Sequence, residues 1–279
     1  MDISKDVCSS CTALIVTHAS KTSPELGKGK ALYYPGAPRT DLLKSVISNI
    51  VASTNITKFI VCVDHKIDCD VSKKYYENLK IFCADNGFDL IVSPSALRVP
   101  SQVSATYAFY RGISALSTDY VLFFEHDHLF TDVVDFNVVN QAFANGCKLL
   151  RFNEFKNSDT EFESLTEPEL LKGVCETNMY CNKPFLAEKS FCQELFKIAI
   201  TDIPYWNGHF GGHVEGPISR EIMFDYYNLP YSDFRLKYPI FVYGPKGMPP
   251  TIEHFGVFTG RKGRIVALAR RLLRYLGIS

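Results

Sequence analysis

The clearest chemistry in this chain lies where a very apolar run, Tyr120–Phe124 (YVLFF), stops abruptly in Glu125, His126, Asp127 and His128. Alternate side chains of an extended backbone share a side, so Glu125 and Asp127 can face the same way. Two carboxylates so placed suit a hard divalent cation, Mn2+ or Mg2+, and such a cation can bridge two phosphate oxygens. An acid-x-acid pair is also what a solvated strand end looks like. Its position after the fourth strand of an alternating series favours the metal.

A second concentration runs from Trp206 to Glu215 (WNGHFGGHVE). Its glycines imply tight turns or a close backbone approach to something, and Trp206 offers a face for a sugar. A third comprises Ile252, Glu253 and His254, followed by Gly260, Arg261, Lys262 and Gly263. Imidazole accepts Mn2+ readily, and a cation offsets leaving-group charge. His126 and His128 with His209 and His213 also suggest the metal centre of a hydrolase. That reading needs a helix over 209–213, which Phe210-Gly211-Gly212 disfavours.

The elements that must position these residues are legible in the first half. Ala13–Thr17, Phe59–Val63, Phe88–Val92 and Tyr120–Phe124 read as buried strands. Helical spacing separates them: from Asp41, with Thr40 as N-cap; after Ser72 as cap, stopping at Asn86-Gly87; and from Ser101, with Val103, Tyr107, Tyr110 and Ile113 on one face. This alternation predicts an α/β fold with a mostly parallel sheet, helices on both faces and right-handed crossovers. Ligands of such sheets bind beyond the carboxyl ends of the strands. Thr17, His18, Asp64, Ser93 and the 125–128 cluster should therefore converge on one edge. Further on, Lys148–Phe152 reads as a fifth strand, Ser190–Ala199 as a helix, Ile240–Tyr243 as a short strand and Arg264–Leu276 as a helix.

Composition bounds the rest. The chain has 279 residues, 46% hydrophobic, which suits one large domain or two merged halves. Lys plus Arg equals Asp plus Glu at 30 each, which argues against non-specific nucleic-acid binding. Six basic residues and no acidic one lie from Arg261 to Ser279, so the terminal helix reads as a peripheral membrane-surface element or a solvated face. The first eleven residues lack an apolar core and no stretch reaches the length of a span, so a soluble cytoplasmic protein is expected, free or at the membrane surface. Nine scattered cysteines read as reduced thiols. Cys8 and Cys11 form one CxxC, and no second pair completes a structural zinc site.

The strand–helix order over 12–130, with the acid motif closing the fourth strand, resembles the GT-A glycosyltransferases, in particular their large inverting family of polysaccharide-building enzymes. There the fourth strand carries an Asp-x-Asp metal motif; here Glu125 takes its first position and Asp127 its second. The resemblance implies a single GT-A-like domain. Its parts would be a tail over 1–11, a nucleotide-sugar half over 12–130, an acceptor half over 131–262 and a basic helix over 263–279. It implies that Thr17, His18 and Asp64 hold the base and ribose and that Arg111 turns toward the donor. Asp127, Glu125 and His254 would hold Mn2+ or Mg2+, with Arg261 and Lys262 on the diphosphate. Trp206 and His213 would line the acceptor site, and Glu215 would be the general base. The implied activity is hexosyl or pentosyl transfer, with inversion, from a nucleotide sugar (UDP the most frequent nucleotide) to a glycan or glycolipid. A metal-dependent hydrolase and a non-catalytic nucleotide- or glycan-binding module are the rivals.

Overall fold

The computed structural model describes residues 6–18, 39–95, 101–161, 163–169, 171–181, 183–202 and 215–254. Its first half follows the expected alternation. Strands β1 (Cys11–His18), β2 (Phe59–Lys66), β3 (Asp89–Ser95) and β4 (Tyr120–Glu125) are separated by helices α1 (Arg39–Thr54), α2 (Asp70–Asn86) and α3 (Ser101–Ala115). Then come β5 (His128–Phe130), α4 (Phe136–Ala144), β6 (Leu149–Arg151), β7 (Leu165–Thr166), β8 (Val174–Thr177) and β9 (Phe185–Glu188). Last are α5 (Lys189–Asp202), α6 (Glu215–Asn228), α7 (Tyr231–Lys237), β10 (Ile240–Tyr243) and β11 (Ile252–His254).

Among the described residues one sheet has the order β3-β2-β1-β4-β9-β6-β10-β8-β7, and β5 pairs with β11 in a separate ribbon. The pairings make β9 and β8 antiparallel to their neighbours, so seven of the nine strands run the same way. The two expected halves thus share one continuous sheet, joined where β4 meets β9.

Alternation along the strands explains why both faces carry helices. Ala13, Ile15, Val61, Val63, Leu122 and Phe124 enter one core with Leu43 and Ile50 of α1 and Leu79 of α2. Leu14, Val16, Ile60, Cys62, Val121 and Phe123 enter the other, with residues of α3, α5, α6 and α7. Each such aliphatic or aromatic side chain contributes roughly 1.5–3 kcal/mol when fully buried. Gly112 lets α3 approach: a Cβ there would lie 2.4 Å from Cys62 Sγ and 2.6 Å from Leu14 Cδ1. A valine at 112 would therefore overpack this core, at a cost of about 1–3 kcal/mol.

Several local expectations are corrected. Thr40 lies inside α1, not at its cap. Cys69 holds the N-cap position of α2, while the Ser72 hydroxyl accepts from Lys66 N at 2.8 Å and ties the helix start to the end of β2. Gly87 does end that helix, in the left-handed conformation at φ 68°. On α3 the buried residues are Ala108, Phe109 and Ile113, and Tyr107 is exposed, because the smaller side chains let the helix lie close to the strands. The 148–152 strand does form, but it is not β4's neighbour: β9 intervenes, antiparallel to both. The first eleven residues are not all tail. Val7 is buried, its N–H donates to Asn140 Oδ1 at 3.0 Å, and Cys11 begins β1. All nine cysteines are free thiols. No described helix is long and apolar enough to cross a membrane.

Candidate metal centre

Parallel register brings the carboxyl ends of β1, β2 and β4 level. Val16 pairs with Glu125, and His18 with Asp64. Glu125 continues the Val121–Phe123 side of β4, the side covered by α3, α5 and α6. The chain then turns: His126 N–H donates to Val16 O at 3.2 Å, and His126 itself is buried. It returns as β5, whose first residue is His128.

β5 is fixed from both sides. Asn49 of α1 accepts from Phe130 N at 2.7 Å and donates to Phe130 O at 3.1 Å. Thr131 N–H donates to Thr251 O at 3.0 Å, joining the ribbon to β11. His128 is thereby buried, its ring edge-on to Phe124 at 6.4 Å between centroids. His128 Nδ1 lies 3.3 Å from Asp127 Oδ1 and 3.5 Å from Glu125 Oε2. One ligand atom from each of Glu125, Asp127 and His128 falls within 4.8 Å of the others. Two carboxylates and an imidazole are a donor set that Mn2+ accepts.

On its far side, His128 Nε2 lies 3.5 Å from Glu154 Oε1, and the other oxygen of Glu154 pairs with Lys183 Nζ. Burial opposes charge on His128, but its contacts with Asp127 and Glu154 and the charge of Glu125 outweigh it and push the imidazolium up to about 9. Burial would raise Glu154, yet His128 and Lys183 hold it down to about 2. Burial likewise works against charge on Lys183, and Glu154 more than restores it.

Glu154 and Lys183 were missed from sequence, and topology explains both. β6 runs the same way as β4, so the residues after it reach the same edge; β9 runs oppositely, so the residues before it do. The rule that residues following a strand converge would have found Glu154, had it been applied to β6. The 153–157 loop is anchored there. Thr251 N–H donates to Asn153 O at 2.9 Å, Asn153 N–H to Thr251 Oγ1 at 3.0 Å, and Asn157 Nδ2 to Tyr243 O at 2.9 Å.

The other expected site residues divide. Glu215 opens α6 and bonds the Cys181 thiol; burial first, then Glu215 against the opposing charge of Arg151, pushes that thiol up to about 12. α6, which Glu215 opens, packs on the Val121–Phe123 face of the sheet, the side that Glu125 continues. His254 is the register partner of His128 in the β5–β11 ribbon.

Three residues expected on the donor side have partners within the protein. Thr17 is buried and bonded to the Tyr75 hydroxyl at 2.6 Å. Asp64 is 1% exposed, 3.3 Å from Lys66 Nζ, and accepts from Ser95 Oγ at 3.1 Å. Its charge is met from within, so its carboxylate is not displayed at the edge. Arg111 is exposed on α3 and donates to Val92 O of β3 at 2.7 Å, three strands away from β4. His18 is placed by its backbone alone. Trp206, His213, Arg261, Lys262 and the helix expected over 264–276 lie outside the described residues, as does the His209 of the hydrolase reading.

No protein-family model matches the chain, and no curated protein does. Among solved structures it is similar to the bifunctional IspDF from Campylobacter jejuni, with a TM-score of 0.39 and 8% identity. That match covers 76% of this chain and 47% of that one, a distant likeness in shape.

Proposed function

We propose that this chain is a metal-dependent glycosyltransferase. It moves a sugar from a nucleoside-diphosphate donor, a UDP-sugar by preference, to a glycan or glycolipid acceptor with inversion. The observation that carries this reading is the grouping of Glu125, Asp127 and His128 at the carboxyl edge of a sheet whose strands mostly run one way. Glu125, Asp127 and His128 would hold a divalent ion, with His254 at the register position beside His128, and that ion would supply Lewis-acid charge to the departing diphosphate. Glu215, on the Glu125 side, takes the proton of the acceptor hydroxyl as its oxygen attacks the anomeric carbon. By the resemblance, Arg261 and Lys262 would offset the charge of the leaving group, and Trp206 and His213 would serve the acceptor.

The test is product capture: protein, Mn2+, a panel of nucleotide sugars and an added glycan acceptor, read by mass spectrometry. A sugar-extended acceptor supports transfer. Release of free sugar and nucleotide with no extended acceptor supports a hydrolase instead. Nucleotide-sugar binding with no turnover of any donor supports the binding-module reading.

A further inference from the structure

Glu154 and Lys183 lie outside the acid motif, and neither its spacing nor its resemblance singles them out. His128 carries two ring nitrogens that face different chemistry. Nδ1 looks at Asp127 and Glu125, at 3.3 and 3.5 Å. Nε2 looks the other way, at Glu154 Oε1, 3.5 Å off. We infer that His128 is a metal ligand through Nδ1, and that Glu154, held by Lys183, is the positioning residue that keeps the Nε2 hydrogen and so turns the Nδ1 lone pair toward the ion. The inference rests on the metal-site reading above and deepens it.

Geometry carries it. A ligating histidine commonly gives its second N–H to a carboxylate, which fixes the tautomer and the ring plane. Here the carboxylate is not a floppy surface acid. Its loop is bonded to Thr251 on one side and, through Asn157, to the end of β10 on the other. One of its oxygens is taken by Lys183, which leaves the other for Nε2. Thr251 also meets Thr131 just after β5. The same short segment therefore ties together the backbones that carry His128 and Glu154, so their spacing is set by the fold. Lys183 serves a second end. It offsets the charge of Glu154, leaving Glu125 and Asp127 as the carboxylates that face the ion.

Mn2+ alone, titrated into the full-length protein by calorimetry, tests this together with electron spin-echo modulation of the bound ion. The wild type should bind Mn2+ with modulation from a directly coordinated 14N, and His128→Asn should remove that signal. Glu154→Gln should weaken Mn2+ binding by about tenfold or more, with Lys183→Met changing it in the same direction by less. Circular dichroism keeps the two variants comparable, and the near-isosteric glutamine preserves packing. Wild-type affinity in both variants overturns the positioning role, while Asp127→Asn losing Mn2+ in the same series leaves the metal site standing. Bound Mn2+ whose 14N coupling survives His128→Asn overturns His128 as a ligand. Failure of the wild type to bind Mn2+ overturns both readings at once.

Discussion

Two acid-bearing strand ends lie on the same edge of this sheet, and they are built oppositely. At the end of β2, buried Asp64 meets buried Lys66 and half-buried Ser95, which also bonds Lys66. At the end of β4, Glu125 and Asp127 face His128, which also meets Glu154 of the loop after β6, itself paired with Lys183. Glu125 keeps a third of its side chain in solvent, where Asp64 keeps 1%. A neutralised, covered carboxylate stabilises the fold. Partly open carboxylates that converge on one imidazole are instead placed to receive a cation. The contrast separates structural from functional acid on physical grounds, although both follow buried strands in the sequence.

The largest effect that would break this contrast concerns the open end. Asp127→Asn should lower sugar transfer at least about 100-fold, since metal charge stabilisation is worth several kcal/mol and each 1.4 kcal/mol is about tenfold. The metal-free variant should melt close to the wild type, because it removes one of several like charges. A large drop in Tm with retained turnover would put Asp127 in the structural class. Initial rates with varied donor, alongside thermal melts, read both.

At the closed end the pattern should invert. Lys66→Met leaves Asp64 buried without its cation, a change of about 3–5 kcal/mol in stability. At roughly 2–4 °C per kcal/mol for a chain of this size, the melting point should fall by on the order of 10 °C. Mn2+ affinity should not move. If it does, the end of β2 belongs to the same site and Asp64 returns to the donor role its position suggested.

A smaller effect calibrates the closed class far from the site. Burial opposes the ionisation of Asp225, but Lys237 at 2.6 Å and the Tyr238 hydroxyl at 2.7 Å outweigh it and hold its carboxyl below the usual range. The depressed group binds its proton more weakly folded than unfolded. Its stabilisation is thus fully present above the ordinary carboxylate value of about 3.9 and is lost as pH falls through the depressed one. Asp225→Asn should flatten that part of the acid melting profile while leaving the neutral profile parallel to wild type. An unchanged acid limb would contradict it.

What could be read from the sequence follows from range. YVLFF and the alternation before it depend on local periodicity, so the four parallel strands and the polar cluster after β4 were legible. His128 was visible as a member of the cluster, but which way its ring turns was not, because that depends on the β5–β11 ribbon, whose strands are more than a hundred residues apart. Glu154 and Lys183 arrive through β6 and β9, strands of three and four residues with little period to detect. The surroundings of Asp64 were hidden for a related reason. Its position after a strand is correct, but its covering by Lys66 and by Ser95 from β3 is a tertiary fact.

The central claim is that the acids closing β4 hold a divalent ion that in turn holds a diphosphate. It is met most directly by titrating UDP into the protein calorimetrically, with and without Mn2+. The account predicts binding at least about tenfold tighter with Mn2+, a gain of about 1.4 kcal/mol or more, and predicts that Asp127→Asn erases the difference. Equal affinity with and without the ion, or a metal-dependent gain that Asp127→Asn leaves intact, would contradict it.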